Sequence, residues 1–385
     1  MWDRFQTGVR RETEPVLRVV ENLAEIPAAQ WNALASDHPF LRHEIFAALH
    51  ETRCASEETG WLPQFLALSR DGRLDGVMPL YLKSHSYGEY VFDWAWADAY
   101  ERHGLNYYPK LLSAIPFSPV TGPRLLARDA EARALLLGTA LELARQTSSL
   151  HVLFPPEPEA RAMEAAGMML RRGVQFHWQN PGYRSFEEFL ATLNHAKRKK
   201  IRQERRKARD AGMQFRHLVG SEIRHEDWVF FTRCYNRTYR AHYSTPYLNL
   251  AFFERLGATL PDNVLLVVAE RDGMPFACAL NVFTDDVLYG RYWGALGFLP
   301  ALHFEVCYYQ TMDFCIDRGI GLFEGGAQGE HKLSRGFLPV ETWSAHWLRH
   351  PRFADAIGEF LAREARGIEH YIDELNDRSP FKNQA

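Results

Sequence analysis

The sequence predicts an α/β chain assembled from two similar halves, and three observations carry that expectation. At 385 residues the chain is long for a single hydrophobic core, so two domains are expected. Short β-branched and aromatic runs alternate with amphipathic stretches of helical period. A hairpin signal then occurs twice. Phe65 to Ser69 and Leu74 to Leu82 flank Arg70-Asp71-Gly72-Arg73, while Leu265 to Glu270 and Phe276 to Phe283 flank Arg271-Asp272-Gly273. Each hairpin follows a Phe-rich helical segment and precedes an aromatic strand, Tyr90 to Trp96 in the first half and Leu288 to Trp293 in the second. Repeats about 200 residues apart signal duplicated domains, not a solenoid.

Hydrophobic residues make up 46% of the chain, with 25 Phe, 16 Tyr and 10 Trp, ample for packed cores. A formal net charge of −3 excludes a globally basic nucleic-acid binder, so any affinity for phosphates must be local. The cysteines Cys54, Cys234, Cys278, Cys307 and Cys315 form no CxxC pair and no Cys/His cluster, so no metal site is expected and a reducing compartment is. The opening Met-Trp-Asp-Arg-Phe lacks a basic region followed by an apolar run, and no stretch reaches membrane-spanning length. The expectation is a soluble cytoplasmic protein.

Residues 1–15 are charged and expected to fray. The first domain is expected over 16–180, with a strand at Arg18 to Val20, helices around Trp31 and from Phe40 to His50, then the first hairpin and its aromatic strand. Pro116, Pro119 and Pro123 stiffen an irregular loop from Ile115 to Arg124, and Asp93, Tyr108, Lys110 and Arg124 are candidates to line a cleft there, with aromatic packing under the loop the alternative for the tyrosines. An amphipathic helix from Glu131 to Gln146 and strands from Leu150 to Phe154 and Met168 to Trp178 follow. Asn180-Pro181-Gly182 marks the boundary with a second domain over 181–350, and a C-terminal helix and tail occupy 351–385.

Ser185 and Glu188 cap a helix expected to run unbroken over 186–211. Its later turns read Lys197-Arg198-Lys199-Lys200-Ile201-Arg202-Gln203-Glu204-Arg205-Arg206-Lys207-Ala208-Arg209, with Glu204 the only acid. Like charges three and four apart repel. An anionic partner is therefore expected along Lys197, Arg198, Lys200, Arg202, Arg205 and Arg206: RNA phosphates, a nucleotide or a lipid headgroup. A solvated helix balanced by acids elsewhere in the fold is the alternative.

Chemistry concentrates between Leu288 and Trp347. An aromatic strand carrying Arg291 and Tyr292 leads into a loop at Gly294 and Gly297. Leu302 to Arg318 has helical spacing and Gly319 in the C-cap position. Leu322 and Phe323 begin a buried strand that enters Gly325, Gly326 and Gly329, glycines that let a ligand approach the backbone. The polar candidates there are Glu324, Gln328, Glu330, His331, Lys332 and Arg335, one imidazole among acids and cations, a set suited to proton transfer beside an anionic substrate. A solvated turn is the bland reading of the same residues.

The runs Tyr107-Tyr108-Pro109-Lys110, Pro116-Phe117-Ser118-Pro119-Val120-Thr121-Gly122-Pro123-Arg124, Leu302-His303-Phe304-Glu305, Cys307-Tyr308-Tyr309 and Gly326-Ala327-Gln328-Gly329-Glu330-His331-Lys332 resemble the FemAB-like predicted N-acyltransferases of bacteria. That resemblance spans about Val16 to Trp347. It implies two tandem GNAT-like acyltransferase domains, each a mixed, mostly antiparallel sheet flanked by helices, as in the Fem-type aminoacyl transferases of peptidoglycan assembly. It also implies transfer of an acyl group from acyl-CoA or aminoacyl-tRNA, used as co-substrate with no tightly bound cofactor, to a small-molecule or peptide amine. Gly294 to Leu302, where a GNAT enzyme would hold the CoA pyrophosphate, lacks the usual spaced glycines. The basic helix resembles the Arg-rich segment of Fem-type proteins and suits tRNA.

On that footing His331 or Glu330 is the expected base, with Glu305 as an alternative, and Tyr308 or Tyr292 the acid. Lys332 and Arg335 are expected to bind the anionic part of a substrate, with His303, Arg291 and Gln328 beside them. Two rival expectations remain. One is a non-catalytic phosphate- or RNA-binding protein that keeps the fold. The other is an enzyme resting on anionic headgroups while it handles a lipid-linked precursor.

Overall fold

The computed structural model describes residues 14–327 and 329–382. Its first half carries β1 (Val16–Val20), β2 (Trp61–Pro63), β3 (Phe65–Arg70), β4 (Arg73–Met78), β5 (Tyr81–Lys83), β6 (Lys110–Ser113), β7 (Leu126–Ala127), β8 (Ser149–Leu153) and β9 (Met169–Gln179). The second half carries β10 (Met213–Val219), β11 (Val264–Arg271), β12 (Met274–Phe283), β13 (Val287–Ala295), β14 (Leu322–Ala327) and β15 (Leu338–Leu348). Both hairpins form as the sequence predicts. Asp71 and Gly72, like Asp272 and Gly273, have positive φ at both central positions, the two-residue turn whose twist suits paired strands.

A four-stranded sheet has the order β1-β3-β4-β7, and an eleven-stranded sheet the order β10-β11-β12-β13-β14-β9-β15-β8-β6-β5-β2. Among the described residues only β13/β14 and β6/β8 are parallel pairs. At the centre of the long sheet the halves exchange strands. β9 lies between β14 and β15 of the second half, while β15 lies between β9 and β8 of the first. The apolar core crosses the same divide: Trp31, Phe46 and Phe65 share one cluster with Trp228, Phe231 and Phe253.

Three local expectations are corrected. Tyr90 to Trp96 is not a strand; residues 88–93 are irregular and the helix Trp94–Arg102 follows, because Trp96 and Tyr100, four apart, bury one helical face. Leu74 to Leu82 is not one strand either. Pro79 interrupts it, and β4 and β5 enter different sheets. The basic segment is not continuous with its predecessor: Phe186–Thr192 ends at an extended Leu193, and Asn194 caps a new helix, His195–Asp210, by accepting from the Lys197 amide.

Candidate functional site

β13 and β14 are hydrogen-bonded only where Val287 to Tyr289 meets Leu322 to Glu324, after which they part. Two features hold the opening. On the β13 side the helix His225–Ala241 crosses so closely that a Cβ on Gly294 would stand 2.2 Å from the Cys234 carbonyl oxygen, so only glycine fits. On the β14 side the register with β9 shifts between Glu324 and Ala327, and Gly326 takes φ +80°.

Charged groups line this opening. Arg291 and Glu324 pair at 2.7 Å with both side chains buried. Lys332 reaches back from the following 3-10 turn, Glu330–Arg335, and its Nζ donates to the Gly326 carbonyl at 2.9 Å. Burial, with Arg291 nearby, lowers its pKa to about 8.

Over the opening runs the helical segment 302–318, whose turns from Glu305 to Tyr309 are π-helical before the α-helix Gln310–Arg318 and the left-handed cap at Gly319. Single π turns widen a helix and recur at functional sites. Here they bury Glu305, Val306, Tyr308 and Tyr309 together. The Tyr308 hydroxyl meets His331 Nε2 at 3.0 Å. His303 packs against Trp293 with the rings tilted and their centroids 4.7 Å apart, and its centroid lies 6.1 Å from that of His331. Burial, then His331 and Arg335, push His303 down to about 4; burial and the neighbouring Arg335 and Lys332 also lower His331. Both imidazoles are therefore neutral at pH 7, and burial raises the Tyr308 phenol so that it keeps its proton. Beside them opens a cleft of about 590 Å³ lined by Arg237, His242, Trp293, Phe298 and His303.

Other expected site residues are engaged elsewhere. Arg335 is buried, donating to Glu204 at 2.7 Å, to the Tyr309 hydroxyl at 3.0 Å and to the His331 carbonyl at 2.6 Å, with its guanidinium over Phe304. It braces the His331 turn against the basic helix. Glu305 accepts from Gln310 at 2.7 Å and from Arg205 at 3.2 Å, and burial raises its pKa. Exposed Glu330 accepts from Tyr371 at 2.8 Å and from Arg378 at 3.4 Å, tying the turn to the helix Pro351–Asp377 and its end. Tyr292 donates to the Phe117 carbonyl at 2.6 Å, across the two halves. Gln328 lies outside the described residues.

The basic helix divides by face. Ile201, Glu204 and Ala208 are buried, Arg205 binds Glu305 and Asp313, and Arg202 pairs with Glu187. Lys200 and Arg206 are exposed, Lys197 and Arg198 half-buried, and Lys200 is near enough to bear on the His331 charge.

Asp93, Tyr108 and Lys110 come together in the first half. Lys110 Nζ donates to Ser86 and Glu89, each at 2.8 Å, and to Asp93, while Ser86 meets the Tyr108 hydroxyl at 2.8 Å. Burial works against the Lys110 ammonium, but Glu89 and Asp93 raise its pKa. Sequence reasoning missed Glu89, His151 and His346, which are buried in the same region. A lone histidine inside each of the apolar strands β8 and β15 was the available signal.

Among the described residues no helix is long and apolar enough to cross a membrane, and no group of His, Cys, Asp or Glu could hold a metal ion.

The profile of the FemAB-like family, described as peptidoglycan biosynthesis/recognition, matches residues 22–383. No curated protein matches the sequence. Among solved structures, FemX is 14% identical with a TM-score of 0.55, covering 89% of this chain and 99% of its own. L-PGS from Bacillus licheniformis is 10% identical with a TM-score of 0.50, covering 83% of this chain and 96% of its own. A conserved protein of unknown function from Bacteroides thetaiotaomicron is 12% identical with a TM-score of 0.51, covering 86% and 99%. At these identities the likeness is one of fold.

Proposed function

The chain belongs to the FemAB-like family, and from that premise we propose that it transfers an aminoacyl group from an activated donor to an amine acceptor of cell-envelope metabolism, at the opening between β13 and β14. The observation that carries the reading is the 3.0 Å contact between Tyr308 and His331 at the edge of that opening. Attack by an amine on an acyl ester needs a base for the nitrogen's proton and an acid for the leaving oxygen. A neutral imidazole accepts the first, a phenol of raised pKa supplies the second, and their contact returns the proton to Tyr308. Lys332, still mostly charged at neutral pH, stabilises the negative charge that develops on the carbonyl oxygen.

Aminoacyl-tRNA is the donor this reading favours. Exposed Lys200 of the basic helix bears on His331, and the segment 296–301 has the single glycine Gly297 where a pyrophosphate loop would need several. Acyl-CoA is the competing donor.

The test supplies radiolabelled aminoacyl-tRNA or acyl-CoA with a lysine-containing muropeptide. Label moving from tRNA to the peptide, with the rate lowered about a hundredfold in Tyr308→Phe and His331→Ala, is the expected result. Transfer from acyl-CoA alone reassigns the donor. Salt-sensitive tRNA binding with no turnover from either donor instead supports a binding protein that keeps the fold.

A further inference from the structure

A second group of ionisable side chains, apart from the β13–β14 opening, forms one hydrogen-bonded file that ends at a cleft between the halves. The cleft measures about 290 Å³ and is lined in part by Gln175, Ala327, Thr342 and Ser344. Ala327 directly follows Gly326, whose carbonyl holds Lys332, so cleft and opening adjoin along β14. Ser344 Oγ lies 2.8 Å from His346 Nε2, and His346 Nδ1 lies 2.8 Å from His151 Nδ1. His151 Nε2 is 3.0 Å from the Tyr107 hydroxyl, which donates to Asp93 at 2.7 Å. Lys110 then bridges Asp93 to Glu89. Every member of the file is at most 4% exposed.

One fact fixes the direction of the whole file. An ionised carboxylate only accepts hydrogen bonds. Burial pushes Asp93 up, but the Lys110 ammonium against it outweighs this and holds it well below the usual carboxylate range. Tyr107 therefore gives its proton to Asp93, and its oxygen is left to accept from His151 Nε2–H. Ser149, 2.8 Å from the same nitrogen, shares that proton. His151 Nδ1 is then bare and accepts from His346 Nδ1–H, which leaves His346 Nε2 to accept from Ser344. Each O–H and N–H points from the cleft towards Asp93.

A file so oriented passes a proton inward. One arriving on Ser344 Oγ displaces the proton already there to His346, and the shift repeats through His151 and Tyr107 to Asp93. Lys110 gives one of its protons to Glu89 and takes the one on Asp93, so the net change is one proton on Glu89. That carboxyl has a buried Oε1 with no hydrogen-bond partner and Lys83 at 3.9 Å. Burial raises it to about 7, so it can hold a proton that Asp93 cannot.

We propose that this file is a proton relay whose entry is Ser344 and whose end is Glu89, and that it takes the first proton from a protonated amine bound in the cleft. The proposal rests on the transfer reading above. The ammonium N–H breaks and Glu89 gains the proton. The freed lone pair forms the bond to the acyl carbon, the bond from that carbon to the leaving oxygen breaks, and the nitrogen's second excess proton reaches that oxygen by way of His331 and Tyr308.

Nitrogen-15 NMR of the intact protein labelled in histidine tests the direction without any substrate, with His151→Gln and His346→Gln assigning the signals. The expected result is a proton on Nδ1 of His346 and on Nε2 of His151. A proton on Nε2 of His346, or a doubly protonated His151, overturns the relay. Kinetics test its use. With butylamine, charged at neutral pH, Ser344→Ala and Tyr107→Phe are expected to lower kcat about a hundredfold at unchanged KM. With hydroxylamine, uncharged at that pH, both variants are expected to lose at least about tenfold less than with butylamine. Equal losses with both amines overturn the relay and leave the file a structural role. If the unaltered protein transfers to neither amine, nor to the lysine-containing muropeptide, the transfer reading falls, while the nitrogen spectra still decide the relay's geometry.

Discussion

Burial decides the charge state of several histidines, and each consequence is local before it is global. Burial is the first cause in every case: it pushes His38, His50 and His303 down to about 4 and His151 to about 3, and lowers His346 well below its ordinary value. In the unfolded chain each takes a proton near pH 6.5. Between that value and about 4 the unfolded state binds more protons than the native one, so stability is present above pH 6.5 and is lost as the pH falls. Calorimetric scans are expected to show the melting temperature dropping steeply from pH 6.5 to 4. His50→Gln, which removes one of the five, should make the drop shallower; a melting temperature flat across that window contradicts the assignment of these histidines as neutral. The chemistry proposed above depends on the same effect, since a protonated His331 is no base. Part of it was legible in the sequence. The crowding of Glu330, His331, Lys332 and Arg335 beside glycines marked a candidate site, but not that Arg335 is committed to Glu204, because that pair joins positions 131 apart.

Elements were readable to the degree that their signals were local. Asp-Gly between two apolar runs specifies its hairpin within a few residues, and both hairpins form where the sequence places them. Gly319 ends its helix as a C-cap glycine should. Trp94-Ala95-Trp96-Ala97 misled because aromatic density favours strands, whereas the burial of Trp96 and Tyr100 together is a tertiary fact. The opening itself is also tertiary. It exists because the helix His225–Ala241 presses on β13 at Gly294 while β14 turns away. Gly294→Ala puts a Cβ against a backbone carbonyl, which cannot swing aside like a side chain, and is expected to destabilise the fold by roughly 1–3 kcal/mol. Urea denaturation measures this, as a lower midpoint with an unchanged slope. A Gly294→Ala variant as stable as the original would mean that helix and strand are less tightly apposed than 2.2 Å implies.

At the scale of the molecule, the two hairpins were visible in the sequence, but neither the different sheets they enter nor the strand exchange was. Two hairpins of one kind led to the expectation of two similar halves, but nothing in the run Met169 to Gln179 says that its partners lie at 322–327 and 338–346. Strand pairing over such separations is set by the closing of the whole sheet, not by local propensity. The exchange makes a physical demand on the halves. Cut between 180 and 181, the first fragment would keep β9 with neither of its neighbours, and the second would keep β15 without β9 or β8. Each would expose open strand edges and part of the core that Trp31 and Phe65 share with Trp228 and Phe253. We therefore expect fragments 1–180 and 181–385, expressed singly, to aggregate or to melt without a cooperative transition. Expressed together they should copurify as a one-to-one complex with a single melting step. Two fragments that each unfold cooperatively, at temperatures unaffected by the other, would show that the exchanged strands contribute little and that each half is stable by itself.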